Sequence, residues 1–197
     1  MGQKKKALVE ARLPTKYGTF QIIAFSGDSK EKENLALVMG NVDGRILVRV
    51  HSECFTGDVL HSMRCDCGEQ LDMAMKKIAE EGKGIIIYLR QEGRGIGLVN
   101  KLKAYNLQDD GMDTVEANIA LGFNAELRGY QGAVSILRKL GAEKIKLMTN
   151  NPSKIKDLKK AGFDVEHIEH SSEPNDENRD YLKTKASKMN HRLDVKD

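Results

Sequence analysis

The stretch Gly84-Ile-Ile-Ile-Tyr-Leu-Arg-Gln-Glu-Gly-Arg-Gly-Ile-Gly97 reads as a buried strand running into a polar, glycine-rich loop. An apolar run of this length suits the middle of a sheet covered on both faces, and ligand loops favour the C-terminal ends of such strands. Gly93, Gly95 and Gly97 do not fit the G-x-G-x-x-G spacing, so no dinucleotide fingerprint is present. On its own the loop is an ordinary strand-to-helix turn.

Upstream, Leu71, Ala74, Met75, Ile78 and Ala79 recur at three and four, which predicts an amphipathic helix over Glu69–Glu81 with Gly82 as its stop. Phe20–Phe25, Leu35–Met39 and Ile46–Val50 are short apolar runs punctuated by glycine and predict an N-terminal series of strands. Downstream, helical patterns cover Leu98–Leu107, Val115–Leu121, Gly129–Leu140 and Ser153–Ala161, with strands at Lys144–Met148 and Phe163–Ile168. The fold class is α/β (α+β), with an all-β start, an alternating second half and a mixed β-sheet. No linker or repeat divides the chain, so residues 1–197 are expected to form one domain. A polar tail, about 171–197, is expected to be mobile near Glu173–Asp180, with a short helix over Tyr181–Met189 whose lysines form a solvated face.

With 197 residues and 40% apolar content the chain can build a real core. Its 32 Lys+Arg against 29 Asp+Glu leave a charge of only +3, and aromatics make 5% with no Trp, which argues against nucleic acid as a partner. No segment approaches the roughly 20 apolar residues of a membrane helix. The three cysteines are too few and too clustered to staple the domain, so they are expected to stay reduced in a cytoplasmic setting.

Cys54, Cys65 and Cys67 have the character of metal ligands, and thiolate sulfur selects a soft or borderline ion, most commonly Zn²⁺. Three sulfurs leave one coordination position open, as in catalytic zinc sites; a closed structural site with His51 or His61 as fourth ligand is the alternative that spacing leaves standing.

Arg49-Val-His-Ser-Glu-Cys-Phe-Thr-Gly-Asp58, Arg64-Cys-Asp-Cys-Gly68, Arg90–Leu98, Asp113-Thr-Val-Glu-Ala-Asn118 and Leu147-Met-Thr-Asn-Asn-Pro-Ser-Lys154 together resemble the signature segments of GTP cyclohydrolase II. The likeness spans nearly the whole chain, including Tyr181–Lys185. It implies hydrolysis of GTP to 2,5-diamino-6-(5-phospho-ribosylamino)pyrimidin-4-one, formate and pyrophosphate, the first step of riboflavin biosynthesis. It further implies Zn²⁺ on Cys54, Cys65 and Cys67, Mg²⁺ with the triphosphate, and a homodimer. Tyr105 matches the family tyrosine beside the ring-opening chemistry. The GTP contacts map onto Arg49, Val50, His51, Ser52, Glu53, Gln70, Glu92, Gly93, Arg94, Thr114, Thr149 and Lys154. A carboxylate such as Glu92 is suited to accept from the guanine N1–H and amine, and the turn between Thr149 and Lys154 is expected to offer free backbone N–H groups to phosphate.

The family's Asp-x-Arg element, which carries the phosphate chemistry, reads Glu126-Leu-Arg128 here. Arg128 is assigned there as nucleophile; because guanidinium is a poor one, an electrostatic role is the simpler expectation. Glu126 in place of Asp, Gly129 in place of an acidic residue and Asn190 in place of Gly put the phosphate step in question. The alternatives are a variant cyclohydrolase with an altered phosphate step and a GTP-binding regulator with a structural zinc site.

Overall fold

The central strand expected at Gly84–Leu89 lies in the middle of a seven-stranded sheet in the computed structural model, which describes residues 7–29, 32–124, 127–189, 191 and 193. The strands are β1 (Ala7–Thr15), β2 (Gly18–Ser29), β3 (Lys32–Met39), β4 (Arg45–Ser52), β5 (Gly84–Leu89), β6 (Lys144–Met148) and β7 (Asp164–Ile168). Their order is β1-β2-β3-β5-β4-β6-β7: β1, β2, β3 and β5 pair antiparallel, whereas β5, β4, β6 and β7 run parallel. The sheet is mixed, as expected.

The helices are α1 (Phe55–Asp58), α2 (Cys67–Glu81), α3 (Leu98–Asp109), α4 (Thr114–Ala120), α5 (Gln131–Lys139), α6 (Pro152–Lys160) and α7 (Arg179–Met189). Strand alternation divides the core between the two faces. Ile46, Val48 and Val50 of β4 and Ile85, Ile87 and Leu89 of β5 pack with Val134 and Leu137 of α5 and Leu158 of α6. Leu47 and Ile86, pointing the other way, pack with Ala74 and Ile78 of α2. Gly84 permits that second contact: a Cβ there would lie 2.6 Å from Ile78 Cγ1 and 2.9 Å from the Leu47 carbonyl oxygen.

Two elements were not expected from periodicity. β1 is mostly exposed and sits at the sheet edge, so it carries little apolar alternation and holds chiefly by its ladder to β2. α1 is a single turn between Cys54 and Cys65, too short to show a helical period.

The tail differs from its expected solvated face at Lys185, which is 8% exposed and donates to Asp66 Oδ1 at 2.8 Å and Oδ2 at 3.0 Å. Leu182 and Asn178 are also buried, so α7 docks against the body. Lys188 on the same helix pairs with Asp113 and, at 3.0 Å, with Glu116, the two residues that form the capping box of α4. Burial alone raises the Asp66 pKa, but the Lys185 ammonium and Arg49 outweigh it and hold the carboxyl below its ordinary value.

Gly84→Ala is expected to lower unfolding free energy by about 1–3 kcal/mol in a denaturant titration, because helix and strand must separate to admit the methyl. Lys185→Ala leaves Asp66 buried without its cation and is expected to cost about 3–5 kcal/mol. Since the Asp66 pKa is depressed by folding, its contribution is present above the unfolded value of about 4 and is lost as pH falls through the folded value. Asp66→Asn is expected to flatten that part of the acid unfolding profile.

Candidate active site

The parallel strands β4, β5 and β6 end on the same side, and the segments that follow them, Glu53–Cys54, Arg90–Gly97 and Thr149–Asn151, converge on one pocket of about 1100 Å³ including its open mouth. Every site residue expected from the sequence lines it except Val50 and Glu126. Val50 is 1% exposed in the core, and its carbonyl oxygen accepts from Lys154 Nζ at 2.7 Å. Glu126, with Asn190, lies outside the described residues.

The three thiols form one wall. Cys54 follows β4, Cys65 follows the α1 loop, and Cys67 is the first residue of α2. Their Sγ atoms all lie within 4.8 Å of one another, with Cys54 and Cys65 3.6 Å apart. Tetrahedral Zn–S bonds of about 2.3 Å place sulfurs about 3.8 Å apart, so the donor set fits that ion. Gly57 keeps the cradle open: a Cβ there would come within 2.9 Å of Cys65 Sγ and 3.2 Å of Cys54 Sγ. Among the described residues no histidine or carboxylate joins the group. His61 is exposed, and His51 Nε2 is engaged by Asp58 Oδ1 at 3.0 Å. The Cys54 thiol is held well below its ordinary pKa by hydrogen bonds from Cys65 and Cys67, with the Lys101 ammonium adding to the effect.

Arg49, Arg94, Arg128, Lys154 and Lys185 line the same pocket. Arg49 is buried beneath them, donating to the Met148 carbonyl at 3.0 Å and to Gln70 Oε1. Burial lowers its pKa to about 10 against the pull of Asp66. Burial also pushes the Lys154 pKa well down, and Arg49, Arg128 and Lys185 push it further. Arg94 adopts φ +59 within a 3-10 turn over Glu92–Gly95, a left-handed arginine of the kind found where a site dictates the backbone. Arg94 Nη1 and Arg49 Nε are buried with no hydrogen-bond partner among the described residues. Such donors call for an anion.

Two expected roles change in detail. Glu92 already accepts from the Phe55 N–H at 2.5 Å, the Gly93 N–H at 2.6 Å and Lys101 Nζ at 2.9 Å, so most of its acceptor capacity frames the Cys54 loop. At the turn before α6 two of the backbone N–H groups are already taken. Thr149 Oγ1 takes that of Asn151 at 3.1 Å, Asn151 Oδ1 takes that of Ser153 at 2.9 Å, and Pro152 has none. The anion attraction of this corner comes from the Lys154 side chain.

The remaining groups position one another. Gln91 Nε2 donates to Ser52 Oγ at 2.8 Å, and Arg90 Nε to Glu53 Oε1 at 2.8 Å. Asp58 accepts from Tyr88 O–H at 2.7 Å and from the Cys54 N–H at 3.0 Å while holding His51. Burial keeps His51 below its usual pKa and hence neutral. Tyr105 is half-buried, its phenol 3.1 Å from Thr56 Oγ1, and burial raises its pKa so that it keeps its proton. Thr114 opens α4 next to the Asp113 cap. Lys101, Thr56, Asp58, Asp66 and Lys185 were missed from the sequence as site residues. Thr56, Asp58, Asp66 and Lys185 lay within the segments that carry the resemblance, whereas Lys101 lay outside them.

The family model for GTP cyclohydrolase II matches residues 5–170. GTP cyclohydrolase-2 of Haemophilus influenzae Rd is 52% identical over 192 residues, covering 95% of this chain and 89% of that protein. The enzymes of that name from Pasteurella multocida and Histophilus somni are 51% and 50% identical, each alignment covering 95% of this chain and 88% of the relative. A two-domain 3,4-dihydroxy-2-butanone 4-phosphate synthase from A. baumannii superposes with a TM-score of 0.48 at 23% identity, over 87% of this chain and 41% of that one. With three thiols gathered beside a cationic pocket and half its residues shared with these enzymes, the chain belongs to the GTP cyclohydrolase II family of hydrolases.

Proposed function

We propose that the chain is a zinc-dependent GTP cyclohydrolase that hydrolyses C8 out of the guanine ring as formate, releases pyrophosphate and leaves 2,5-diamino-6-(5-phospho-ribosylamino)pyrimidin-4-one, as the opening step of riboflavin biosynthesis. The observation that carries this reading is the union, in one pocket, of an open three-thiol cluster with five basic side chains, two of which, Arg49 and Arg94, keep a buried donor with no partner among the described residues. Cys54, Cys65 and Cys67 would hold the ion. When bound, it supplies Lewis acidity, which makes water a nucleophile near neutral pH.

The chain's own groups do the rest. Arg49, Arg94, Lys154 and Arg128 bind and orient the triphosphate, leaving the purine toward the thiols. Tyr105, kept protonated, donates a proton as the imidazole ring opens. Arg128 stabilises charge at the α-phosphorus as pyrophosphate departs, a role for which a permanently charged guanidinium is suited. Gln70 and Asp66 hold Arg49 and Lys185 in place. A closed structural site is disfavoured because none of the described residues offers a fourth ligand. Mg²⁺ on the triphosphate and a homodimer complete the proposal. The second is supported by exposed Val59, Leu60 and Met63 on the thiol-bearing loop and Val99 and Leu102 on α3.

The test is to incubate the protein with GTP and Mg²⁺, with and without zinc, and identify products by mass. Formate and the diaminopyrimidine are expected with zinc and neither after chelation; a formylated or triphosphorylated product would replace this reading with an altered phosphate step. Arg128→Ala is expected to lower turnover by about 100-fold or more.

Lys154 gives a pH signature. Its pKa is depressed by burial, Arg49, Arg128 and Lys185, against a weaker pull from Cys67, and an incoming polyanion reverses the balance. GTP binding is then expected to take up protons and to weaken as pH rises. Calorimetry at about pH 8 in buffers of different ionisation enthalpy reads the uptake, and Lys154→Arg is expected to diminish it because guanidinium stays charged.

A further inference from the structure

We propose that Lys101 is a positioning residue for the thiol-held ion: its ammonium braces Cys54 as a metal-binding thiolate and ties that ligand to the Tyr105 phenol. The inference rests on the zinc reading above. Lys101 lies on the first turn of α3, and its Nζ stands 3.1 Å from Cys54 Sγ, 2.9 Å from Thr56 Oγ1 and 2.9 Å from Glu92 Oε1. Three acceptors match its three N–H bonds.

This arrangement excludes the other uses of a pocket lysine. An ammonium committed to three partners has no lone pair for attack and no spare donor for a phosphate. Lys154 shows the contrast within the same pocket, since it is surrounded by Arg49, Arg128 and Lys185 and is suited to an anionic ligand.

The charge balance supplies the reason for placing a cation beside Cys54. Three thiolates around a divalent ion leave one net negative charge, which a low-dielectric pocket penalises unless a positive group lies close. The Lys101 side chain is 12% exposed, so its contact with sulfur is little screened by water. Glu92 holds the ammonium in place and is itself held by the backbone N–H groups of Phe55 and Gly93. The Thr56 hydroxyl accepts from Lys101 and lies 3.1 Å from the Tyr105 hydroxyl, against 3.7 Å to Cys54 Sγ. One side chain thus sets the spacing between the metal-binding sulfur and the proton donor. Groups held near a metal by its ligands' partners typically change affinity by about 10–100-fold when removed.

The experiment measures zinc content and zinc affinity, by competition with a chromophoric chelator, for the wild type, Lys101→Met, Lys101→Arg and the double variant Lys101→Met/Glu92→Gln. Lys101→Met is expected to bind zinc about 10–100-fold more weakly, with Lys101→Arg recovering most of the loss. The double variant removes the carboxylate that the single change would orphan, so it guards against simple misfolding and is expected to retain the defect. At saturating zinc and GTP, Lys101→Met is expected to lower kcat more than it raises KM, because the phosphate-binding cations are untouched. Wild-type affinity in Lys101→Met, or its return in the double variant, overturns the proposal. A wild-type protein that takes up no zinc overturns the zinc reading together with it, and the first measurement tells that failure apart.

Discussion

Like charges held together out of water are the constraint on which this structure turns. Arg49, Arg94, Arg128, Lys154 and Lys185 share one pocket, and their repulsion is large where solvent screens poorly. The sheet absorbs it. Arg49 projects from β4 between two core strands and is fastened by the Met148 carbonyl, while Asp66 meets Lys185 from the other side. The buried Arg49 Nε and Arg94 Nη1, without partners among the described residues, are donors that an anionic ligand can satisfy.

The thiol wall obeys the same logic with opposite sign. Cys54, Cys65 and Cys67 crowd their sulfurs around a point kept clear by Gly57, and Lys101 stands against the resulting negative charge. Glu92 joins the two groups, because it anchors Lys101 and lies in the turn that forces Arg94 into its left-handed backbone.

The helix α7 shows how a distant segment can belong to a site. Its lysines look like a solvated face because the sequence around them is polar and no periodic apolar stripe announces burial. Lys185 nonetheless reaches a carboxylate 119 positions away, and Lys188 clamps the cap of α4 that presents Thr114. Long polar side chains bury their stems while carrying charge to a partner, a pairing that no local pattern encodes.

Sequence alone determined the central strand, the amphipathic helix before it, the alternating second half and the three-cysteine motif, because apolar period and ligand spacing are local properties of the chain. It also placed Glu92 and Thr149 just past strand ends, where α/β sheets expose their loops. Tertiary structure decided what those residues do there. The Asn151 and Ser153 N–H groups before α6 are taken by Thr149 and Asn151, the Glu92 carboxylate is largely spent on the protein, and Lys101 enters the site from a helix whose sequence does not mark it. Each of these outcomes depends on which donor meets which acceptor across the fold, and that pairing exists only once the strands have brought separate segments of the chain together.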